Sequence, residues 1–157
     1  MPQLSYSLDH TPAAPGTLGD AQSPIMRERL NVETAAGIPM GRAVSYGTAA
    51  DGAVIGGTAF AGVSMRTSAP GNASTNAAEA AQYEPVELVQ VGSVNVTVSG
   101  SVTHASAVAY INATGIFTAG PAGAGETNVT NAKFRGAAAD GEIVKLKLFD
   151  LATTAGS

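Results

Sequence analysis

One stretch, residues 84–100, constrains the fold more than any other part of the sequence. It opens with a proline, closes with a glycine, and is dominated by β-branched residues in between. In its second half Val94, Val96 and Val98 alternate with polar side chains. A period of two places these valines on one face, which is typical of a strand half-buried against a core. The stretch therefore predicts a long central β-strand.

The alternation changes phase in the middle of this stretch, around Val89, Val91 and Gly92. One extra residue in a strand switches the side chains that face inward. We therefore predict a β-bulge or a tight bend at Gly92. No Asp, Glu, Lys or Arg occurs between positions 88 and 125, which indicates that this region holds the core of the domain.

The composition limits the classes of function. Cysteine is absent, which excludes disulfides and thiolate metal sites. Charged residues make up 13% of the chain, about half the share that is usual in soluble domains, and such a weakly charged surface favours a protein that lies against a partner. The net charge of −4 and the absence of a Lys/Arg cluster in the sequence argue against nucleic acid as that partner.

The sequence gives no indication of a membrane partner. The first residues have neither the basic start nor the apolar run of a secretory signal. No window reaches the roughly 20 apolar residues that a membrane-spanning helix needs. We therefore expect a soluble protein that is made in the cytoplasm.

The sequence from residue 31 to residue 150 has a pattern that predicts one all-β domain. Seven to nine short strands separated by Gly-rich turns are typical of a β-sandwich or barrel. The segments 67–83 and 119–127 are rich in small residues and are expected to be exposed loops, and residues 151–157 a flexible tail.

The last strands form a predicted hairpin. Residues 131–136 run in one direction and residues 142–149 return, with Asp-Gly as the turn signal between them. In the returning strand Val144, Leu146 and Leu148 are expected to face inward, with the intervening lysines on the opposite face.

Residues 1–30 are expected to lie outside the sheet, because their prolines remove backbone donors and their glycines interrupt regular structure. Ser23-Pro24 could cap and start one helical turn, with Ile25, Met26 and Leu30 as its apolar face. Composition leaves two interpretations open, a disordered tail or an extended, mostly irregular arm that becomes ordered on a partner. We favour the arm.

The sequence contains no convincing catalytic or ligand-binding motif. Its two histidines, His10 and His104, lack a neighbouring nucleophile motif, and no set of His, Asp and Glu has a spacing usual for a metal site. The Gly-rich residues 120–125 lack the lysine and the following helix of a phosphate-binding loop. We predict a protein that is not an enzyme and that has no cofactor and no metal.

Short motifs in a characteristic order extend over nearly the whole chain. They are Tyr6, Pro15–Asp20, Asn31–Glu33, Ala36–Val44, Phe60–Ser64, Tyr83–Pro85 with the valine-rich strand after it, Val102-Thr103, Val108–Tyr110, Gly115–Phe117 and Gly141–Leu148. In this order they resemble the structural cement, or capsid decoration, proteins of tailed bacteriophages. The chain departs from the family pattern at Ser106-Ala107, where the family usually has Gly-Asp, and in its Ala/Gly-rich inserts at 68–82 and 119–127.

The resemblance implies a jelly-roll-like β-sandwich or barrel of short antiparallel strands, carried on the outer surface of an icosahedral phage capsid. It implies binding to the major capsid protein, stapling of neighbouring capsid subunits, and a homo-oligomer, with a trimer favoured and a dimer possible. The residues expected to contact the capsid are those of the arm, namely Tyr6, Leu8, Leu18, Asp20, Ile25 and Leu30. The alternative is a receptor-binding or fibre β-module of a phage or a bacterium.

Overall fold

The structure is a computed structural model and describes residues 14–19, 24–65 and 79–150. Within these ranges the chain forms β-strands and no helix, so the predicted all-β class is confirmed. None of the described residues belongs to a helix with the length and apolar character needed to cross a membrane. The strands are β1 Ile25–Asn31, β2 Ile38–Pro39, β3 Ala43–Tyr46, β4 Gly52–Ile55, β5 Phe60–Met65, β6 Glu79–Ala80, β7 Pro85–Ser99, β8 Val108–Ile111, β9 Phe117–Ala119, β10 Glu126–Asn128, β11 Ala132–Phe134 and β12 Ile143–Leu148.

Strand β7, the stretch that the sequence places at the centre, joins the two halves of the fold. Its first half pairs with β1 and with β5, and its second half pairs antiparallel with β12. Its last residues pair with β9 in parallel. A single strand of 15 residues thereby contributes backbone hydrogen bonds to both halves.

The predicted bulge is confirmed in the middle of β7. Ile25 pairs with Val91 while the next residue, Met26, pairs with Val89, so β7 contains one extra residue at this point. The adjacent Gly92 has a φ of 133°. The bulge changes the phase of the strand, as the sequence predicts, because Val89 before it and Val94 after it pack into the same core cluster.

The first half of the fold is a closed barrel. Neighbouring strands pair in the order β1–β4–β3–β5–β7, and β7 pairs back with β1 to complete the ring. The pair β1–β4 is parallel, and the other pairs in the ring are antiparallel. Val44, Ala53, Val86 and Leu88 form its buried cluster, which Ile38 joins from the separate β2–β6 pair.

The second half packs against the barrel through a larger core. It consists of β9, β8 and β10 on one side of the end of β7 and of β12 and β11 on the other. Tyr110, Phe117 and Phe134 are its largest fully buried side chains. Tyr110 lies 5.7 Å from the ring of Phe60, and its hydroxyl lies 3.4 Å from Ser45 Oγ, so residues of β3 and β5 contact this core.

The C-terminal hairpin forms as predicted. β11 pairs antiparallel with β12, and Val144, Leu146 and Leu148 are buried. The expected helical turn after Ser23-Pro24 is wrong, because the chain from Ile25 onward is β1. Pairing with β7 determines the conformation of this segment, and such long-range pairing overrides local propensity.

Short strands occur inside or overlap the two predicted loops. Residues 66–78 lie outside the described residues, but Glu79 and Ala80 form β6, and Ala80 is fully buried. The segment predicted at 119–127 begins at the last residue of β9 and includes the first residues of β10. Short paired strands in these two places escape detection because two or three residues carry no periodicity.

Candidate functional site

The N-terminal segment, defined here as residues 14–19 and 24–31, runs antiparallel to β7. The Gly16 N–H donates to Asn95 O at 2.7 Å, and the Asn95 N–H donates to Thr17 O at 2.9 Å. The Gly19 N–H donates to Ser93 O at 2.8 Å. β1 pairs with the first half of β7, and these bonds continue the antiparallel pairing along the second half of β7. The expectation that residues 1–30 lie outside the sheet is therefore wrong for residues 25–30.

The side chain of Asn95 adds a specific contact to these backbone bonds. Its Nδ2 donates to Thr17 Oγ1 at 3.0 Å and lies 3.3 Å from Thr17 O. Thr17 Oγ1 in turn donates to Ala14 O at 2.6 Å. The sequence places Asn95 on the polar face of its strand, and in the structure this polar side chain is buried beneath the N-terminal segment. A buried amide needs partners, and Thr17 supplies them.

Two glycines provide room for the N-terminal segment. A Cβ on Gly41 would lie 2.8 Å from Gly16 N and 2.9 Å from Pro15 Cβ. A Cβ on Gly92, next to the bulge, would lie 2.9 Å from Pro24 Cβ. The segment can therefore approach the sheet at both points only because these positions lack a side chain.

The N-terminal segment carries four exposed apolar side chains. Leu18, Ile25, Met26 and Leu30 are between 38% and 52% exposed, although they belong to a segment fixed by backbone hydrogen bonds. Three of the six predicted capsid-contact residues are in this group, namely Leu18, Ile25 and Leu30. The other three, Tyr6, Leu8 and Asp20, lie outside the described residues. The described part of the predicted site is thus a set of partly exposed apolar side chains on a segment that pairs with β7.

A groove of about 520 Å³ opens beside β1. Ile25, Arg27 and Tyr46 are among the residues that line it. Arg29, two residues further along β1, stacks its guanidinium over the Tyr46 ring at 4.4 Å and donates from Nη1 to Ala50 O at 3.3 Å. These contacts attach β1 to β3 and to the turn that follows it.

Sequence reasoning did not assign Met26 or Tyr46 to the site. Met26 could have been assigned from its place beside Ile25 in the arm. Tyr46 gave a weaker signal, an aromatic residue at the end of a short strand and directly before a glycine.

The pKa values of two charged side chains near the barrel are lowered. Glu33, just after β1, accepts hydrogen bonds from Thr48 Oγ1 and from the Thr48 backbone N–H, and these bonds lower the pKa of the Glu33 carboxyl below its usual value. Burial lowers the pKa of Arg42, which lines a second, mostly apolar pocket. The Glu33 bonds hold the chain after β1 against the turn between β3 and β4.

The described residues also include candidates that the sequence offers for metal binding and acid–base chemistry. Among them, no three His, Cys, Asp or Glu side chains are placed to hold a metal ion. His104 lies exposed in a turn closed by Thr103 and Ser106, and His10 lies outside the described ranges. The described N-terminal segment thus carries exposed apolar side chains on a hydrogen-bonded backbone, next to the groove beside β1.

Comparison with known proteins assigns the chain to a family. The family model described as structural cement protein (E217 gp24/Pam3 gp6) matches residues 2–149. A chain in the solved capsid of Myoviridae phage XM1 shares the fold with a TM-score of 0.68 and 16% sequence identity, over 91% of this chain and 94% of that chain. No curated protein matches the sequence significantly. Because the family model extends over nearly the full length, the chain belongs to the structural cement protein family of phages.

Proposed function

We propose that this chain is a structural virion protein that binds the outer surface of an icosahedral phage capsid and staples major capsid protein subunits together. The observation that carries the proposal is the row of half-exposed apolar side chains on a hydrogen-bonded N-terminal segment, in a chain of the cement family. The role is structural rather than catalytic. The protein is made in the cytoplasm of the host bacterium and ends up on the virion.

Fixing the segment before binding lowers the cost of capsid attachment. Ordering a free chain costs on the order of 1–2 kcal/mol per residue. Residues 14–19 and 24–31 are already held by β7, so their apolar side chains are presented without that cost. Tyr6, Leu8 and Asp20 are proposed as further capsid contacts beyond this ordered part. Many copies on one shell then multiply modest individual contacts through avidity.

Deletion of the whole arm is not a suitable test of its function. Removing residues 1–30 would delete nearly all of β1, and β1 closes the barrel, so this truncation is expected to unfold the domain. Substitutions on the exposed surface avoid this problem. The functional arm proposed here therefore overlaps the β-domain at β1.

Replacing Leu18 and Ile25 together by serine is expected to weaken binding to undecorated shells of the cognate major capsid protein by about tenfold to a hundredfold. Full burial of such a side chain contributes roughly 1.5–3 kcal/mol, and both are already about half buried. Co-sedimentation with purified shells measures the loss. The matched control is Tyr83→Asn, which removes an apolar side chain that is 69% exposed outside the N-terminal segment, at a φ of 67° that asparagine tolerates.

The same measurement separates the two candidate functions. Equal shell binding by the serine variant, the control and the original protein would contradict the proposed contact surface. Binding to host cells but not to shells would instead favour the receptor-binding alternative.

We expect the purified protein to form a closed homo-oligomer, with a trimer favoured over a dimer. Three copies of the 15.5 kDa chain would give a mass of about 46 kDa by light scattering, consistent with cyclic symmetry. A dimer of about 31 kDa would move the proposed capsid position to a twofold axis. A monomer at all concentrations would contradict self-association in solution.

A further inference from the structure

The groove beside β1 lies at one end of the barrel. Its lining comes from four of the five barrel strands, at the point where β1 and β5 begin and where β3 ends. Tyr46 and Phe60 contribute aromatic side chains, and Tyr46 is 46% exposed. Asn131 and Asp150, which flank the two strands of the C-terminal hairpin, also line the groove. The groove therefore combines residues from both halves of the fold in one concave surface.

Hydrogen bonds fix the walls of this groove. Gln90, which has no pairing partner in β1, donates from Nε2 to Ala61 O at 3.1 Å and so joins β7 to β5. Asn131 Nδ2 donates to Phe149 O at 2.9 Å, and the Phe149 N–H donates to Asn131 O at 2.8 Å. The surface is thus formed before a partner arrives, which lowers the entropic cost of binding.

The groove carries two opposite charges that the fold leaves unpaired. Arg27 on β1 and Asp150 after β12 both line it, and both are exposed. Within the described residues, neither side chain has an ion pair or a hydrogen bond, with the other or with any third residue. Arg29, two positions further along β1, is instead engaged by Tyr46 and by Ala50 O. The charges of Arg27 and Asp150 are therefore available to a partner.

We infer that copies of this chain meet at the groove, with Arg27 of one copy pairing with Asp150 of the neighbouring copy. This inference rests on the homo-oligomer expected under the proposed function and names its contact surface. A surface that holds one base and one acid is complementary to a second copy of itself, whereas another partner would need an independently matched pair of charges. Aromatic residues and arginine are also the residues enriched at protein interfaces.

The test reverses each charge singly and then both together. Arg27→Glu and Asp150→Arg each place like charges opposite one another, so each is expected to raise the concentration at which the oligomer dissociates by about tenfold or more. The double variant restores opposite charges in exchanged positions and should associate within about threefold of the original. Light scattering over a dilution series measures the mass, and the differences should shrink at about 500 mM salt.

The matched control is Lys133→Glu. It changes the net charge by the same amount as Arg27→Glu, at an exposed position that does not line the groove. The control should associate as the original protein does. Because Arg27 and Asp150 are exposed, all variants are expected to fold, and thermal unfolding verifies this. Ile25 lies both in the groove and among the proposed capsid contacts, so only the charges are changed.

The outcomes separate this inference from the cement role. If the original protein is a monomer at all concentrations, the inference fails, while binding to shells still decides the cement role. If the original is an oligomer and the single variants associate like the control, or the double variant does not recover, only the groove contact is overturned. If the single variants keep the mass of the original but bind shells less well, the groove belongs to the capsid contact, which also overturns the inference.

Discussion

Replacing Gly41 by alanine is expected to release residues 14–19 from β7 and to lower the free energy of unfolding by about 2–4 kcal/mol. The added Cβ would lie 2.8 Å from Gly16 N and 3.0 Å from Asn95 O, which are the two atoms of the first hydrogen bond between the segment and β7. The φ of +75° adds about 1–2 kcal/mol of backbone strain. Each hydrogen bond lost contributes about another 1 kcal/mol. Because Leu18 belongs to the released segment, shell binding should fall as well.

Hydrogen exchange at the amides of Gly16 and Gly19 reports the release directly. The matched control is Gly100→Ala, because Gly100 has a φ of +73° but no atom within 4 Å of its added Cβ. The control carries the same backbone strain without the collision. We expect fast exchange at both amides in the Gly41 variant and protected amides in the control. Equal protection in the two variants would show that the segment does not depend on the space at Gly41.

A second large effect is expected at Gly56, where the barrel meets the second half of the fold. A Cβ there would lie 2.1 Å from Asn112 O, closer than any tolerated contact, and φ is +62°. The Gly56 N–H donates to Ala43 O at 2.8 Å, and the Gly57 N–H donates to Asn112 O at 2.9 Å. Because the collision is with backbone, these bonds must shift. We expect Gly56→Ala to lower the free energy of unfolding by about 3 kcal/mol or more.

Chemical denaturation measures this loss, with Gly125→Ala as the control. Gly125 has a φ of +77° and open space around its added Cβ, and its carbonyl accepts from the Asn112 N–H in the same corner of the fold. The control should lose only the strain contribution of about 1–2 kcal/mol. If the Gly56 variant were as stable as the control, the backbone around Gly56 and Asn112 could shift without lowering the free energy of unfolding. This result would contradict the prediction.

The central strand and the C-terminal hairpin could be predicted from the sequence because each carries a strong period of two. Val94, Val96 and Val98 are buried as their alternation predicts, and the change of phase correctly locates the bulge beside Gly92. Such a signal depends only on which face of a strand is buried, and this information is local. The all-β fold class could be predicted from this local signal.

The position of β1 could not be predicted in the same way. Most of its seven residues are exposed and three are charged, and it is a strand because β7, about sixty residues further along the chain, supplies its hydrogen bonds. This long-range pairing leaves no local pattern in the sequence of β1.

The candidate site was partly accessible to sequence reasoning. Leu18, Ile25 and Leu30 could be chosen because apolar residues in a Pro/Gly-rich arm have no core of their own to join. Their attachment to β7 through Asn95 and the neighbouring backbone could not be predicted, because the sequence pattern places Asn95 among ordinary outward-facing polar residues. Whether these side chains contact the capsid stays a prediction.

The most direct test of the account is the thermal stability of undecorated shells as purified protein is added. A cement protein binds the intact shell in preference to its separated subunits, so the disassembly temperature must rise with protein concentration. We predict that this temperature increases and then saturates once the shell sites are filled, and that the Leu18/Ile25 serine variant requires a higher concentration to reach the same increase. A disassembly temperature that stays constant while the protein is bound would contradict the cement function.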